Sequence, residues 1–127
     1  MEQDLILEVS CLPKTWLIDL DGTVLKHNGF NSKELLLPGV KDFFNNFIKE
    51  DDVVIFTTAR SCSQKDETFN FLIKNNIKFN NIIFNLPTGE RFLINDIKPS
   101  GLKTAFSVNV KRNQGLKFLK IKHNNNL

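Results

Sequence analysis

Trp16, Leu17 and Ile18 form an apolar run of strand-forming side chains, and the run ends in Asp19, Leu20, Asp21, Gly22 and Thr23. Alternate side chains of a strand share a face, so Asp19 and Asp21 can face one site, and Gly22 lets the chain turn away directly after them. Two like charges on one face repel, and burying either is costly unless something cationic compensates it. The strand therefore belongs inside a sheet, with its carboxyl end at a site that can balance two carboxylates.

Segments with strand and helix character alternate along the rest of the chain. Residues 15–20 form the first expected strand. Pro38 suits a first helical turn, and Val40, Phe43, Phe44, Phe47 and Ile48 recur at the spacing of an amphipathic helix. Residues 52–58 are a β-branched run ending in Thr57 and Thr58. Residues 63–76 read as a second helix, with Ser63 as its cap and Asp66 and Glu67 in its early turns. Residues 81–84, 91–95 and 104–110 are three further strand candidates, and 113–122 fits either a last helix or an added strand. The asparagine-rich end, about 123–127, is expected to fray as a disordered tail.

Strands alternating with helices predict an α/β fold with a doubly wound parallel sheet, and 127 residues suffice for a single domain with one core. In such sheets ligands bind beyond the carboxyl ends of the strands. Asp19 and Asp21, Thr57 and Thr58, and Asn95 and Asp96 all stand at such ends. Three carboxylates in one crevice are tolerable around a divalent cation, and oxygen donors suit Mg²⁺. One aspartate can then attack phosphorus while its neighbour handles protons.

Composition narrows the class. No apolar run approaches a membrane span, and Glu2 and Asp4 stand where a secretory signal carries positive charge, so the expected location is cytoplasmic, with no membrane partner. Cys11 and Cys62 are too few for a disulfide framework and read as reduced thiols without a chemical role. The net charge of +3 hides an asymmetry: residues 1–96 sum to −4 and residues 97–127 to +7. The basic end is either a solvated surface or an attractor of anions.

The segment Asp19–Val24 (DLDGTV) resembles the first signature, DxDGT, of phosphatases of the haloacid dehalogenase superfamily. The run VVIFTTAR, with Thr58 as the matching hydroxyl, is similar to the second. FLINDIKP, with Asp96, resembles the acidic last signature, where Asn95 replaces the first of the two acids that the family often carries. The similarity spans residues 15 to about 110. It implies a Mg²⁺-dependent phosphomonoester hydrolase working through an aspartyl-phosphate. Asp19 would be the nucleophile and Asp21 the acid and base. Thr58 would bind the substrate phosphate, with Thr57 as the alternative hydroxyl. Asp19, the Asp21 carbonyl and Asp96 would hold the metal. The third signature's cation has no clear match; its candidates would be Arg91 and Lys98, ahead of Arg60 and Lys65, and His27 reads as a loop residue near the site mouth.

Only about thirty residues separate Asp21 from the second strand, so the chain resembles the members that lack a cap domain. An open crevice suits a large substrate, or a small one enclosed by the 24–37 loop or by a second copy in a homo-oligomer. The expected substrate is a small phosphorylated metabolite, such as a sugar phosphate of surface-polysaccharide synthesis. The alternatives are a polynucleotide 3′-phosphatase or nucleotidase, which would make nucleic acid a partner, and a non-catalytic module that binds phospho-ligands or proteins.

Overall fold

The computed structural model describes residues 3–127 and shows a small α/β fold with parallel strands in two sheets. The strands are β1 (Leu5–Val9), β2 (Thr15–Asp19), β3 (Val53–Thr57), β4 (Asn81–Ile83) and β5 (Leu119–His123); the helices are α1 (Val40–Phe47) and α2 (Lys65–Lys74). The larger sheet has the order β2-β3-β4, and β1 pairs with β5 in the smaller one. Among the described residues no helix is long and apolar enough to cross a membrane.

Register explains why β2 and β3 form. Trp16 lies opposite Val54 and Ile18 opposite Phe56, so these four side chains share one face. Val54 and Phe56 on that face are fully buried. The Phe56 ring meets Phe44 of α1 at 5.9 Å and Phe79, after α2, at 5.8 Å; Phe69 of α2 meets Phe79 at 5.3 Å. Aromatic packing of this kind ties both helices to the sheet through a shared apolar contact. The opposite face keeps Leu17, Val53 and Ile83 exposed.

Helix α1 starts after Pro38 and Gly39, as its periodicity requires. Helix α2 is preceded by a 3₁₀ turn over Cys62–Gln64 that is capped by Ser61, whose side chain accepts from the Ser63 amide; Ser63, the expected cap, lies within that turn, and the cap position of α2 is Gln64, with no side-chain cap bond. Asp66 and Glu67 stand in the first turn and Lys74 in the last, which complements the helix dipole.

Three expectations change. Residues 91–95 and 104–110 are not strands: residues 89–101 are exposed coil, and so is 104–110 in alternation with half-buried positions. Strand propensity describes fit to a pleated, half-buried surface, and among the described residues no strand pairs with these segments. Residues 113–122 resolve to a strand, since Leu119–His123 pairs with β1, a strand that the alternation of segments did not reveal. The asparagine-rich end is bonded back onto that pair: the Asn124 amide donates to the Val9 carbonyl at 2.8 Å and the Cys11 thiol to Asn125 Oδ1 at 2.8 Å.

Candidate functional site

Asp19 and Thr57 lie opposite each other at the last pair of β2 and β3, so both carboxyl ends open on the same side. The chain leaves β2 in a tight turn: the Leu20 carbonyl accepts from the Val24 and Leu25 amides at 3.0 and 2.9 Å, and the Gly22 amide donates to the Leu25 carbonyl at 2.7 Å. Gly22 has φ +89°, and a Cβ there would sit 3.2 Å from Arg112 Cγ. Glycine is thus required by the left-handed turn, and the Arg112 side chain packs closely over it. The 24–37 segment then folds back as a flap, with the Lys26 amide on the Leu35 carbonyl and the Leu37 amide on the Val24 carbonyl, both at 2.9 Å.

Asp21 is the most heavily bonded carboxylate of the site. Its Oδ2 accepts from the Thr58 hydroxyl at 2.8 Å, and its Oδ1 accepts from Arg60 Nε at 3.0 Å and pairs with Arg60 Nη2 at 2.9 Å. Arg60 is itself buried. Its other donors go to Glu34 on the flap, in a two-pronged pair of 2.9 and 2.8 Å, and to the Thr68 hydroxyl of α2 at 3.0 Å. The Phe30 ring covers the guanidinium at 5.0 Å. Burying a guanidinium is tolerable only with such complete pairing. Burial opposes the charged form of Arg60, but the bonds and charges of Glu34 and Asp21 outweigh it and raise its pKa.

Asp19 is half-buried and accepts from the Thr23 hydroxyl at 3.1 Å. Burial pushes its pKa up and the Asp21 charge adds to this, while the Thr23 bond and the charges of Arg91 and His27 pull the other way; the net direction is upward. A partly desolvated carboxylate within reach of the Arg91 charge is suited to attack an electrophile that carries negative oxygens. His27 Nδ1 is buried without a hydrogen-bond partner, and the His27 amide is held by Asn113 Oδ1 at 2.8 Å. The Asn113 amide in turn donates to the Gly22 carbonyl at 2.8 Å, so the 111–114 turn is fastened to the aspartate loop.

The structure brings Asp19, Asp21, Thr57 and Thr58 together, with Arg91 near enough for its charge to act on Asp19. It does not bring in Asp96. That residue lies in exposed coil, and its carbonyl accepts from the Thr104 hydroxyl. Lys98 lies in the same exposed coil, its amide bonded to the Leu102 carbonyl. The expected convergence of Asp19, Thr58 and Asp96 at three strand ends does not hold for Asp96, which stands at no strand end because residues 91–95 form no strand. The expected three-carboxylate Mg²⁺ set of Asp19, Asp21 and Asp96 is not assembled, and among the described residues no group of three or more His, Cys, Asp or Glu side chains could hold a metal ion. The Thr58 hydroxyl is fully buried and committed to Asp21, whereas Thr57 is half-buried on the face of Asp19.

Glu34, Arg112 and Asn113 are site residues that sequence reasoning passed over, and Arg60 was ranked behind Arg91. Arg60 had one legible signal, an arginine placed two residues after Thr58 in the hydroxyl pair that follows an apolar strand. The other three reach the site through contacts distant in sequence. Comparison with protein-family models, curated proteins and solved structures gives no match to the chain.

Proposed function

We propose that the chain hydrolyses phosphomonoesters through a phosphorylated Asp19. The observation that carries this reading is the division of labour between the two aspartates. Asp19 is half-buried with one side-chain bond, from Thr23, while Asp21 is immobilised by Thr58 and Arg60. An Asp19 oxygen attacks phosphorus, the bond from phosphorus to the ester oxygen breaks, and the alcohol departs with a proton from Asp21. Water then attacks the aspartyl-phosphate, gives a proton to Asp21 and releases inorganic phosphate, which restores Asp19. Arg91 and Arg112 are the cations on hand for phosphoryl oxygens, and Thr57 is the hydroxyl that stands beside Asp19.

The DxDGT resemblance supports membership in the haloacid dehalogenase superfamily, with a doubly wound sheet and no cap. It also supports Mg²⁺ as cofactor. As placed, Asp96 does not complete the implied ligand set, so the steps above are carried by the chain's own groups. A small phosphorylated metabolite is the substrate class, with the 24–37 flap, folded back beside the aspartate turn, to enclose it. The absent third carboxylate favours a second reading, a module that binds phospho-ligands without turnover.

The experiment is phosphate release from a sugar phosphate, a nucleotide, a 3′-phosphorylated oligonucleotide and an aryl phosphate, each with and without Mg²⁺. Wild type is expected to release phosphate, and Asp19→Asn to release none. Turnover by Asp19→Asn at the wild-type rate would refute the covalent step. Phosphate binding without release by wild type would put the binding module in its place.

A further inference from the structure

The Arg60 guanidinium uses every N–H it has inside the protein. Nε serves Asp21, Nη1 serves Glu34 Oε2 and the Thr68 hydroxyl, and Nη2 serves Glu34 Oε1 and Asp21 Oδ1. An arginine has five such donors in one plane, so none remains for a substrate. Arg60 is therefore not a phosphate ligand, and its placement needs another purpose. Its plane is set by the two-pronged Glu34 contact, by Thr68 and by the Phe30 ring, and that plane dictates where the Asp21 carboxylate sits.

We propose that Glu34 is a positioning residue for Asp21, acting through Arg60; this rests on the phosphomonoesterase reading above. Asp21 Oδ1 accepts from Nε and Nη2, and Oδ2 accepts from Thr58 and, at 3.3 Å, from Nε. The Nε contact at 3.3 Å is the longest of the four, so Oδ2 is the less committed oxygen and the one from which a proton can be exchanged with an ester oxygen or a water. Glu34 fixes that oxygen's position from the flap. In Glu34→Gln one oxygen still accepts, but the amide nitrogen faces an arginine N–H, and the two-pronged contact breaks. The guanidinium then tilts and carries Asp21 with it. Thr68 and Phe30 remain, so the arginine stays covered.

The test is the first turnover with two esters, a sugar phosphate with a poor leaving group and 4-nitrophenyl phosphate with a good one. Proton donation matters for the first ester and little for the second. Glu34→Gln is expected to slow alcohol release from the sugar phosphate about tenfold to a hundredfold, the scale of a misplaced catalytic group. Release of nitrophenol in the first turnover should fall less than about threefold, since general acid catalysis contributes little there. Trp16→Phe, which breaks the Trp16–Asp52 bond at the other end of the sheet, should leave the ratio of the two rates unchanged. Should Glu34→Gln fail to fold, Glu34→Asp decides: a lowered ratio supports the proposal and an unchanged ratio overturns it. Equal slowing of both esters, or of neither, overturns the positioning role while leaving the phosphomonoesterase reading intact. A wild-type chain that releases neither alcohol overturns both.

Discussion

Asp52 sits at the amino end of β3, opposite the candidate site, and is only 4% exposed. Its Oδ1 accepts from the Lys14 amide at 2.9 Å; its Oδ2 accepts from the Lys49 amide and the Trp16 indole, both at 2.9 Å. Asp52→Ala would remove one carboxylate and leave three donors without it. An unsatisfied buried donor costs about 1–3 kcal/mol. Lys49 is exposed and Lys14 and Trp16 are half-buried, so water can reach these donors in part and the low end applies. We therefore expect a loss of about 3 kcal/mol at neutral pH, or roughly 10 °C in Tm for a chain of this size. Burial pushes the Asp52 carboxyl up, but the bonds from Lys49, Trp16 and Lys14 and the Lys14 charge bring it below its ordinary value of 3.8. A carboxyl lowered in the native state contributes stability above its unfolded value and loses it as pH falls through the folded one. The gap between wild type and Asp52→Ala should be full at pH 7.5, still nearly full at pH 5, and should begin to close only below pH 3.8. His123, which burial and the charges of Lys49 and Lys14 lower, also feels Asp52, so the comparison should include His123→Asn. The assay is urea unfolding of both chains across that range. A loss below about 1 kcal/mol at pH 7.5, less than the cost of one unsatisfied donor, would refute the reasoning. So would a gap that stays constant down to the acid limit of folding.

Asp19→Asn should stabilise the fold at neutral pH, because the native Asp19 pKa is raised chiefly by burial. A raised carboxyl favours the native state below its unfolded value and loses that contribution as pH rises through the folded value, so the advantage of the variant should vanish below pH 3.8. Thermal melts across pH check this, and an Asp19→Asn chain less stable than wild type at pH 7 would contradict it. Gly115→Ala should destabilise by at least about 2 kcal/mol, since Gly115 has φ +79° and its Cβ would stand 1.9 Å from the Pro38 carbonyl oxygen. Gly101→Ala, with φ +94° and no atom within 4 Å, carries only the conformational cost and should lose about half as much or less in denaturant unfolding.

Local chemistry was enough to place β2, β3, β4, α1 and α2, because each announces itself over a few residues. Trp16–Ile18 and the run of Val53–Phe56 are apolar and strand-forming, the phenylalanines of α1 recur at helical spacing, and the pair Asp66 and Glu67 marks the start of α2. Asp19, Asp21 and Gly22 were legible as a site for the same reason: their relation is fixed by the geometry of one strand and the turn that ends it. That two carboxylates at such a turn need compensation also follows from electrostatics alone.

Which groups provide the compensation was decided by tertiary structure. Arg60 reaches Asp21 across 39 positions and Glu34 across 26, and the aspartate loop is held by Asn113 from the far end of the chain. Strands β1 and β5 pair across more than a hundred residues, so neither is marked by its neighbours in sequence. Residues 91–95 show the converse: an apolar run of strand character that the tertiary arrangement leaves in solvent, with Asp96 away from Asp19. A side chain's type and its local spacing are properties of the sequence, whereas an unpaired strand edge, a saturated guanidinium or a desolvated carboxylate exists only once distant segments have met.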